Sequence, residues 1–432
     1  MAREAADVLE SRRALGEKLA TFRSAARMTQ AQLGQATFSD RTRIAHLEKG
    51  RARADRHFWQ AADEALGASG VLLASFVEFV ETKHRMEREV REAELAAMRE
   101  RVDGWRLSGA AVEGDRGVSA VAELLGPAQT LDLLDTYTRS VIARYELEGP
   151  QRLAPEVLAL RRLGHQLTGR VSGAERTRLT LASARHAALL AYMSVNLSRF
   201  DDAERFALEA SMLATALGDA PLLAWIKGTQ SFAAYYQERY QEALNVAQVG
   251  VGLAGSDLQR IRLLSNGVAR AAGKLGDRRT AERAAGEALE LAEHAEVPSG
   301  MTSCIDFLPY GRARAVANAA TAQLSLGNHK EVLRLTGDLR AAVADSGSDW
   351  SRSLVSLDEA TALAVGREAD LEHAAAVGQA ALAASSAKPI ASVASRAGEL
   401  AVSLKLHGSS RASDEFTAAL HAWRRDTREM LT

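Results

Sequence analysis

Thr29-Gln30-Ala31-Gln32-Leu33 and, beginning eight positions after Leu33, Arg41-Thr42-Arg43-Ile44-Ala45-His46-Leu47-Glu48-Lys49-Gly50-Arg51 decide how this chain starts to fold. In the first stretch Thr29 and Gln32 stand three apart, the spacing of a capping box: the hydroxyl takes an amide of the first turn and the glutamine reaches back to the cap. Leu33 is then the inward anchor of a short helix. Phe38-Ser39-Asp40 reads as a turn. Asp40 caps a second short helix whose Ile44 and Leu47 point inward and which Gly50 ends. Upstream, Leu15, Leu19, Phe22 and Ala26 fall at helical spacing, and downstream Phe58, Ala62 and Leu66 do the same before Gly67 and Gly70. These pieces predict a small all-α domain over residues 12–75, preceded by a tail, 1–11.

Charge singles out the same region. Residues 12–56 hold eleven Lys and Arg against four Asp and Glu, a balance of +7, although the 432-residue chain carries −1 overall. A basic head on an acidic body is a footprint of nucleic-acid binding, and a merely solvated face gives a similar count. The pattern after Asp40 separates the two. With Ile44 and Leu47 inward, Arg41, Thr42 and His46 face away. Arginine can clasp the two acceptors of a guanine edge, and Thr42 can meet a thymine methyl or a polar edge. His46, one turn on, reaches base or phosphate. Arg43 lies to one side, toward the backbone. Thr29 and Gln30 begin the preceding helix, where amides and side chains meet phosphate, and Arg51 and Arg53 follow toward the sugar-phosphate chain.

The same residues resemble the helix-turn-helix domain of the XRE (phage-repressor-like) family. The resemblance implies a lambda-repressor-like head, a third helix lying in the major groove of double-stranded DNA, and a homodimer on a two-fold-symmetric site. It departs at the turn. Phe38 stands where glycine is usual and Ser39 where an apolar residue is. Either Phe38 occupies the turn, or Phe38 is itself the inward residue and the turn is shifted by one.

Composition bounds the rest: 47% hydrophobic, 25% charged, only seven prolines and a single cysteine, Cys304. No run of eighteen apolar residues predicts a membrane span, and the N-terminus lacks an apolar signal core. One cysteine excludes an internal disulfide framework and a cysteine-cluster metal site. A cytoplasmic, nucleoid-associated protein without cofactor or metal is expected. Residues 76–106 read as one charged helix in which Phe79, Met86, Val90, Ala93 and Ala97 keep a seven-residue rhythm. That stripe is either a dimer seam or a connecting helix packed on the next domain. Gly109, Gly114, Gly117 and Gly126-Pro127 place the main boundary within 107–127, at the end of a linker helix and Gly-rich connection spanning 76–127.

Residues 128–432 repeat. Helix starts follow short turns at Phe200, Tyr240, Arg278 and His329, with weaker copies at Leu371 and Ser409; the interval between Arg278 and His329 is the longest. Three residues after these anchors stand Ala203, Ala243, Ala281, Val332, Ala374 and Ala412, and ten after stand Ala210, Gly250, Ala288, Leu339, Ala381 and Ala419. Small residues recur where antiparallel helices approach closely, so the period predicts stacked helix pairs. The array resembles tetratricopeptide-type repeats, which implies a right-handed α-solenoid. Joined to the head, it is similar to the peptide-responsive (quorum-sensing) regulators of Gram-positive bacteria and to head-plus-repeat regulators of actinomycetes. That layout implies a short peptide or another small effector in the concave groove; the alternative is a scaffold whose repeats hold a protein partner beside DNA.

In such arrays the first helix of each pair lines the concave face. Counting back from each anchor places there Arg185, Tyr192 and Asn196; Trp225, Phe232, Tyr235 and Tyr236; Asn266, Arg270 and Lys274; and Arg314, Asn318 and Thr321. Asparagine can pair with both polar atoms of a peptide bond, cations can hold a carboxylate, and the rings supply contact area. No enzyme is expected. Gly267 to Lys274 only superficially resembles a phosphate loop, with Leu275 where a magnesium-binding hydroxyl belongs, and no hydrolase or kinase set appears.

Overall fold

The computed structural model describes residues 6–80, 82–83, 125–295, 300–307, 310–344, 346–365, 369–406, 408 and 410–431. These are helical, with no strand among them. The chain divides into two compact units, Met1–Asp103 and Gly104–Thr432.

The head is built from α1 (Ala6–Ala25), α2 (Gln30–Ala36), α3 (Arg41–Glu48), α4 (Arg56–Leu66) and a fifth helical stretch, residues 71–80. Each short helix starts where a side chain takes an early amide. The Thr29 hydroxyl accepts from Gln32 N while Thr29 N donates to Gln32 Oε1 at 2.8 Å, completing the box. Asp40 Oδ1 accepts from Arg43 N at 2.7 Å, and Asp55 Oδ1 from Phe58 N at 3.0 Å. Asp63, buried near the end of α4, accepts from the amides of Gly70, Leu72 and Leu73 and so caps the fifth stretch. The inward residues Leu15, Leu19, Leu33, Ile44, Leu47, Phe58, Ala62 and Leu66 join Trp59 and Leu72 in one core. The tail boundary is corrected: α1 begins at Ala6, and Val8 is already buried, because its apolar side chain extends the same helix. At the other end α1 stops at Ala25, leaving Ala26 exposed outside it. Phe79 packs against the head's core, whereas Met86, Val90, Ala93 and Ala97 lie outside the described residues.

The turn is settled by Phe38. Its φ is +51° and its side chain is 97% exposed. The reading in which Phe38 points inward is therefore overturned: it occupies the glycine-like turn position itself. Gly34 explains why the turn cannot be shifted. A Cβ at Gly34 would stand 2.5 Å from the Ser39 carbonyl oxygen, so the chain returns across α2 in backbone contact.

The second unit is a run of antiparallel helix pairs, beginning with Pro127–Glu148 and Pro150–Leu167. Helices begin at Phe200, Tyr240, Arg278, His329 and Leu371, as the anchors predict. The last copy is read early: its helix starts at Arg411, two residues after the Ser409 anchor, and Ser413 and Leu420 are buried one position after the expected Ala412 and Ala419. Close approach at the small positions is real. A Cβ on Gly250 would meet Leu263 Cδ2 at 2.6 Å. The stretch from Asp257 to Lys274 is one helical path whose middle, Leu263–Ala269, is π-helical. Gly267 to Lys274 thus lies inside a helix. The long Arg278–His329 interval holds an insertion between the helices Arg278–His294 and Arg312–Ser325.

The array curls back on its beginning. Lys388 Nζ donates to the Leu147 carbonyl at 2.7 Å, Gln151 Nε2 donates to the Pro389 carbonyl, and the rings of Tyr145 and Trp350 lie 5.5 Å apart. The first pair thereby lies against the turn and helix of a pair more than two hundred residues later in the chain. No helix among the described residues is long and apolar enough to cross a membrane.

Candidate nucleic-acid interface and the core of the repeat array

In the head, α3 is held at both ends and along one side. Ile44 and Leu47 are buried, and Arg41, Thr42, Arg43 and His46 are exposed. Thr29, Arg51 and Arg53 are exposed as well, while Gln30 is half-buried. The clamp that fixes α3 is Glu48. Its largely buried carboxylate takes Arg23 of α1 bidentately, Nε at 2.5 Å and Nη2 at 3.2 Å, and Gln30 Nε2 at 2.7 Å. Arg12 Nε donates to the Gly50 carbonyl at 2.8 Å. Gln30 is thus tied to the end of α3, and its amide ties α2 to α3. A preorganised fork–fork pair of this kind fixes angle as well as distance. The arrangement presents a short rigid helix with a basic, polar outer face. Glu48 was legible in the sequence only as part of a helix ending; its partner Arg23 lies 25 residues away.

The thirteen concave positions come together in the second unit, and most are buried against one another. Tyr192 stacks on Phe232 with centroids 5.0 Å apart, and Phe232 meets Tyr236 edge-on at 4.9 Å. Asn196 Nδ2 donates to Tyr145 Oη at 2.7 Å, Asn318 Nδ2 to Tyr310 Oη at 2.7 Å, and Trp225 Nε1 to the Asp306 carbonyl at 2.8 Å. Arg270 lies 4.2 Å over the Tyr235 ring and donates to Asn266 Oδ1 and Tyr236 Oη. Lys274 pairs with Glu399 at 2.7 Å. Thr321 donates to Asp358 Oδ2, which also takes Arg396. Arg185 is half-buried, its guanidinium 5.6 Å from the Phe307 ring.

What fills the centre is the inserted segment together with the first helix. Arg314 donates to the Thr302 carbonyl and pairs with Glu146 at 2.5 Å; Cys304 N donates to the same Glu146 oxygen at 2.9 Å, and Ser303 Oγ to the Ile142 carbonyl. Burial works against the Glu146 carboxylate, but Arg314 and the Cys304 amide outweigh it and hold its pKa below the usual range. Burial, reinforced by Glu146, pushes the Cys304 thiol up to about 12. A cavity of ≈ 780 Å³ remains at the rim; Arg139, Arg178, Arg185, Trp225, Asp306 and Phe307 are among its walls. Of the thirteen positions only Arg185 and Trp225 line it. A second cavity, ≈ 530 Å³, is bordered by Tyr235, Tyr236 and Lys274. Sequence reasoning missed Glu146, Asp358, Arg396 and Arg262, each of which organises this interior from a position outside the counted stripe.

Among curated proteins, none matches the chain. Residues 14–76 match the family model of the helix-turn-helix domain. The match spans α1 to the fifth helical stretch, so the head is a helix-turn-helix domain, a module of DNA-binding regulators, followed by an all-helical, repeat-like region.

Proposed function

We propose that this protein is an XRE-type transcription regulator that binds double-stranded DNA as a homodimer and senses an effector through its repeat array. The observation that carries the reading is α3: a capped, clamped helix with Ile44 and Leu47 buried and Arg41, Thr42, Arg43 and His46 turned outward. In the major groove Arg41, Thr42 and His46 read base edges. Arg43, Arg51, Arg53, Thr29 and the α2 end at Gln30 meet the backbone. The array, tetratricopeptide-like in its period, takes a short peptide or small molecule on its inner side. The reading assigns no reaction to the chain and places its work in the cytoplasm, on the nucleoid.

Selection of bound fragments from random or genomic DNA by the full-length protein tests this. The unaltered chain should recover a two-fold-symmetric motif. Its affinity should fall steeply with salt, because phosphate contacts release counterions. Replacing Arg41 with alanine should weaken binding about ten- to hundredfold and relax one position of the motif, the range of a lost bidentate base contact. Unchanged selection by a chain lacking the Arg41, Thr42 and His46 side chains would overturn the reading.

A further inference from the structure

Arg262 is buried to 4% exposure, and its Nε, Nη1 and Nη2 have no hydrogen-bond partner. A guanidinium presents five N–H donors in a fixed fork and is never neutral in a protein. Its neighbours in the array's interior behave otherwise. Arg161 has Glu209, Arg314 has Glu146, Arg396 has Asp358, and Arg270 has Asn266 and Tyr236. Arg262 has only ring faces: its Cζ lies 4.2 Å from the Trp225 centroid and 5.4 Å from that of Tyr192. Rings on its faces orient the guanidinium plane and leave the donor-bearing edge unused.

No carboxylate among the described residues pairs with that edge, although Asp306 lines a void that Arg262 also borders. Glu146, which takes the Cys304 amide, is already paired with Arg314, and the thiol of Cys304 is held protonated. Among the described residues the Arg262 guanidinium has no ion-pair partner. Arg262 borders a void of ≈ 10 Å³ with Trp225, Asp306, Phe307 and Tyr310, about the room of one water. Trp225, Gln259, Asp306 and Phe307 line both this void and the ≈ 780 Å³ cavity. The Phe307 ring borders both, 4.9 Å from Trp225 and 5.6 Å from the Arg185 guanidinium.

We infer that Arg262 is the receptor for an oxyanion carried on a flat apolar body, a carboxylate or a phosphate ester, which enters by the large cavity and replaces Phe307 against Trp225. The body takes the place of one aromatic ring on another, and the oxyanion receives the guanidinium edge in a bidentate pair. Arg185, released from Phe307, faces the same space. This deepens the effector-sensing reading and rests on it for its consequence, not for its binding step.

Calorimetry on the full chain tests it with benzoate and phenyl phosphate as probes and benzamide as the uncharged counterpart. One site per chain is expected for at least one of the two anions, with at least tenfold weaker binding of benzamide; which anion binds more tightly distinguishes carboxylate from phosphate. Arg262→Met should lose binding at least tenfold, Arg262→Lys should lose less, and Phe307→Ala should gain affinity by removing the competing ring. The charge-free Arg262→Met chain should also melt higher, since it removes an uncompensated buried cation, whereas a purely structural arginine would melt lower on replacement. Should Arg262→Met fail to fold, the Phe307→Ala gain and the benzamide contrast still decide. No binding of either anion by the unaltered and Phe307→Ala chains, or equal binding by Arg262→Met, would overturn the receptor. Anion binding that leaves DNA affinity unchanged would uphold the receptor and remove the sensing role.

Discussion

Replacing Phe38 with glycine should make the head more stable, although it deletes the largest apolar side chain in the turn. Phe38 holds φ at +51°, a left-handed conformation that costs an L-residue about 1–2 kcal/mol relative to glycine. Its ring is 97% exposed, so deletion forfeits almost no burial. Against the relief stands the greater unfolded-state freedom of glycine, about 0.5–1 kcal/mol. The balance is a gain of about 0.5–1 kcal/mol, or roughly a threefold rise in the folded-to-open ratio of the head. Native-state hydrogen exchange on the full chain reads this locally: the amides of Leu33, Ile44 and Leu47 should exchange about threefold more slowly, with amides of the repeat array unchanged. A tenfold or greater loss of protection would refute the reasoning. It would mean that the ring is packed, since truncating a buried phenylalanine costs about 3–5 kcal/mol, and that the turn is not where φ places it. DNA affinity measured on the same variant separates stability from contact, because Phe38 lies three residues before α3.

Asp63→Ala should destabilise the head by about 2–3 kcal/mol in denaturant unfolding, since one buried carboxylate serves the amides of Gly70, Leu72 and Leu73; an effect under about 0.5 kcal/mol would show that water replaces it. Burial depresses the His186 pKa to about 3, and the single Thr138 hydroxyl proton goes to the Leu134 carbonyl, so the ring donates from Nε2 and is neutral. The native state therefore binds fewer protons than the unfolded chain between about pH 3 and 6.5, and this contribution is complete above 6.5 and lost as pH falls toward 3. His186→Leu should lower the slope of stability against pH in that window by up to one proton, about 1.4 kcal/mol per pH unit; an unchanged slope would place the charged form in the fold. Cys304, with its thiol pushed up to about 12, should resist a disulfide reagent at pH 8 in the native chain and react on unfolding; prompt native-state labelling would show the inserted segment to be open.

The head was legible because its signals are local. Thr29 with Gln32 and Asp40 with Arg43 each join residues three apart, and such spacings can be read in one sequence. The repeat anchors were legible for the same reason, since each sits at a turn. The last one slipped, its helix starting at Arg411, two residues after the Ser409 anchor. The inserted segment could be noticed, as the longest interval, but not followed. Cys304 meets Glu146 at a separation of 158 residues, and nothing near either residue encodes the other. Arg262 escaped for a geometric reason. Counting back along an α-helix from Arg278 pairs Arg270 with Leu263, because seven residues return to the same face. The π-helical segment Leu263–Ala269 takes more residues per turn and rotates the stripe by about one position. Leu263 then packs toward Gly228 and Gly250, while Arg262 and Arg270 each lie over aromatic rings. The widened turn therefore does more than bend the register: it puts a buried arginine whose guanidinium nitrogens lack hydrogen-bond partners on the face where the rings of Trp225 and Tyr192 can hold it.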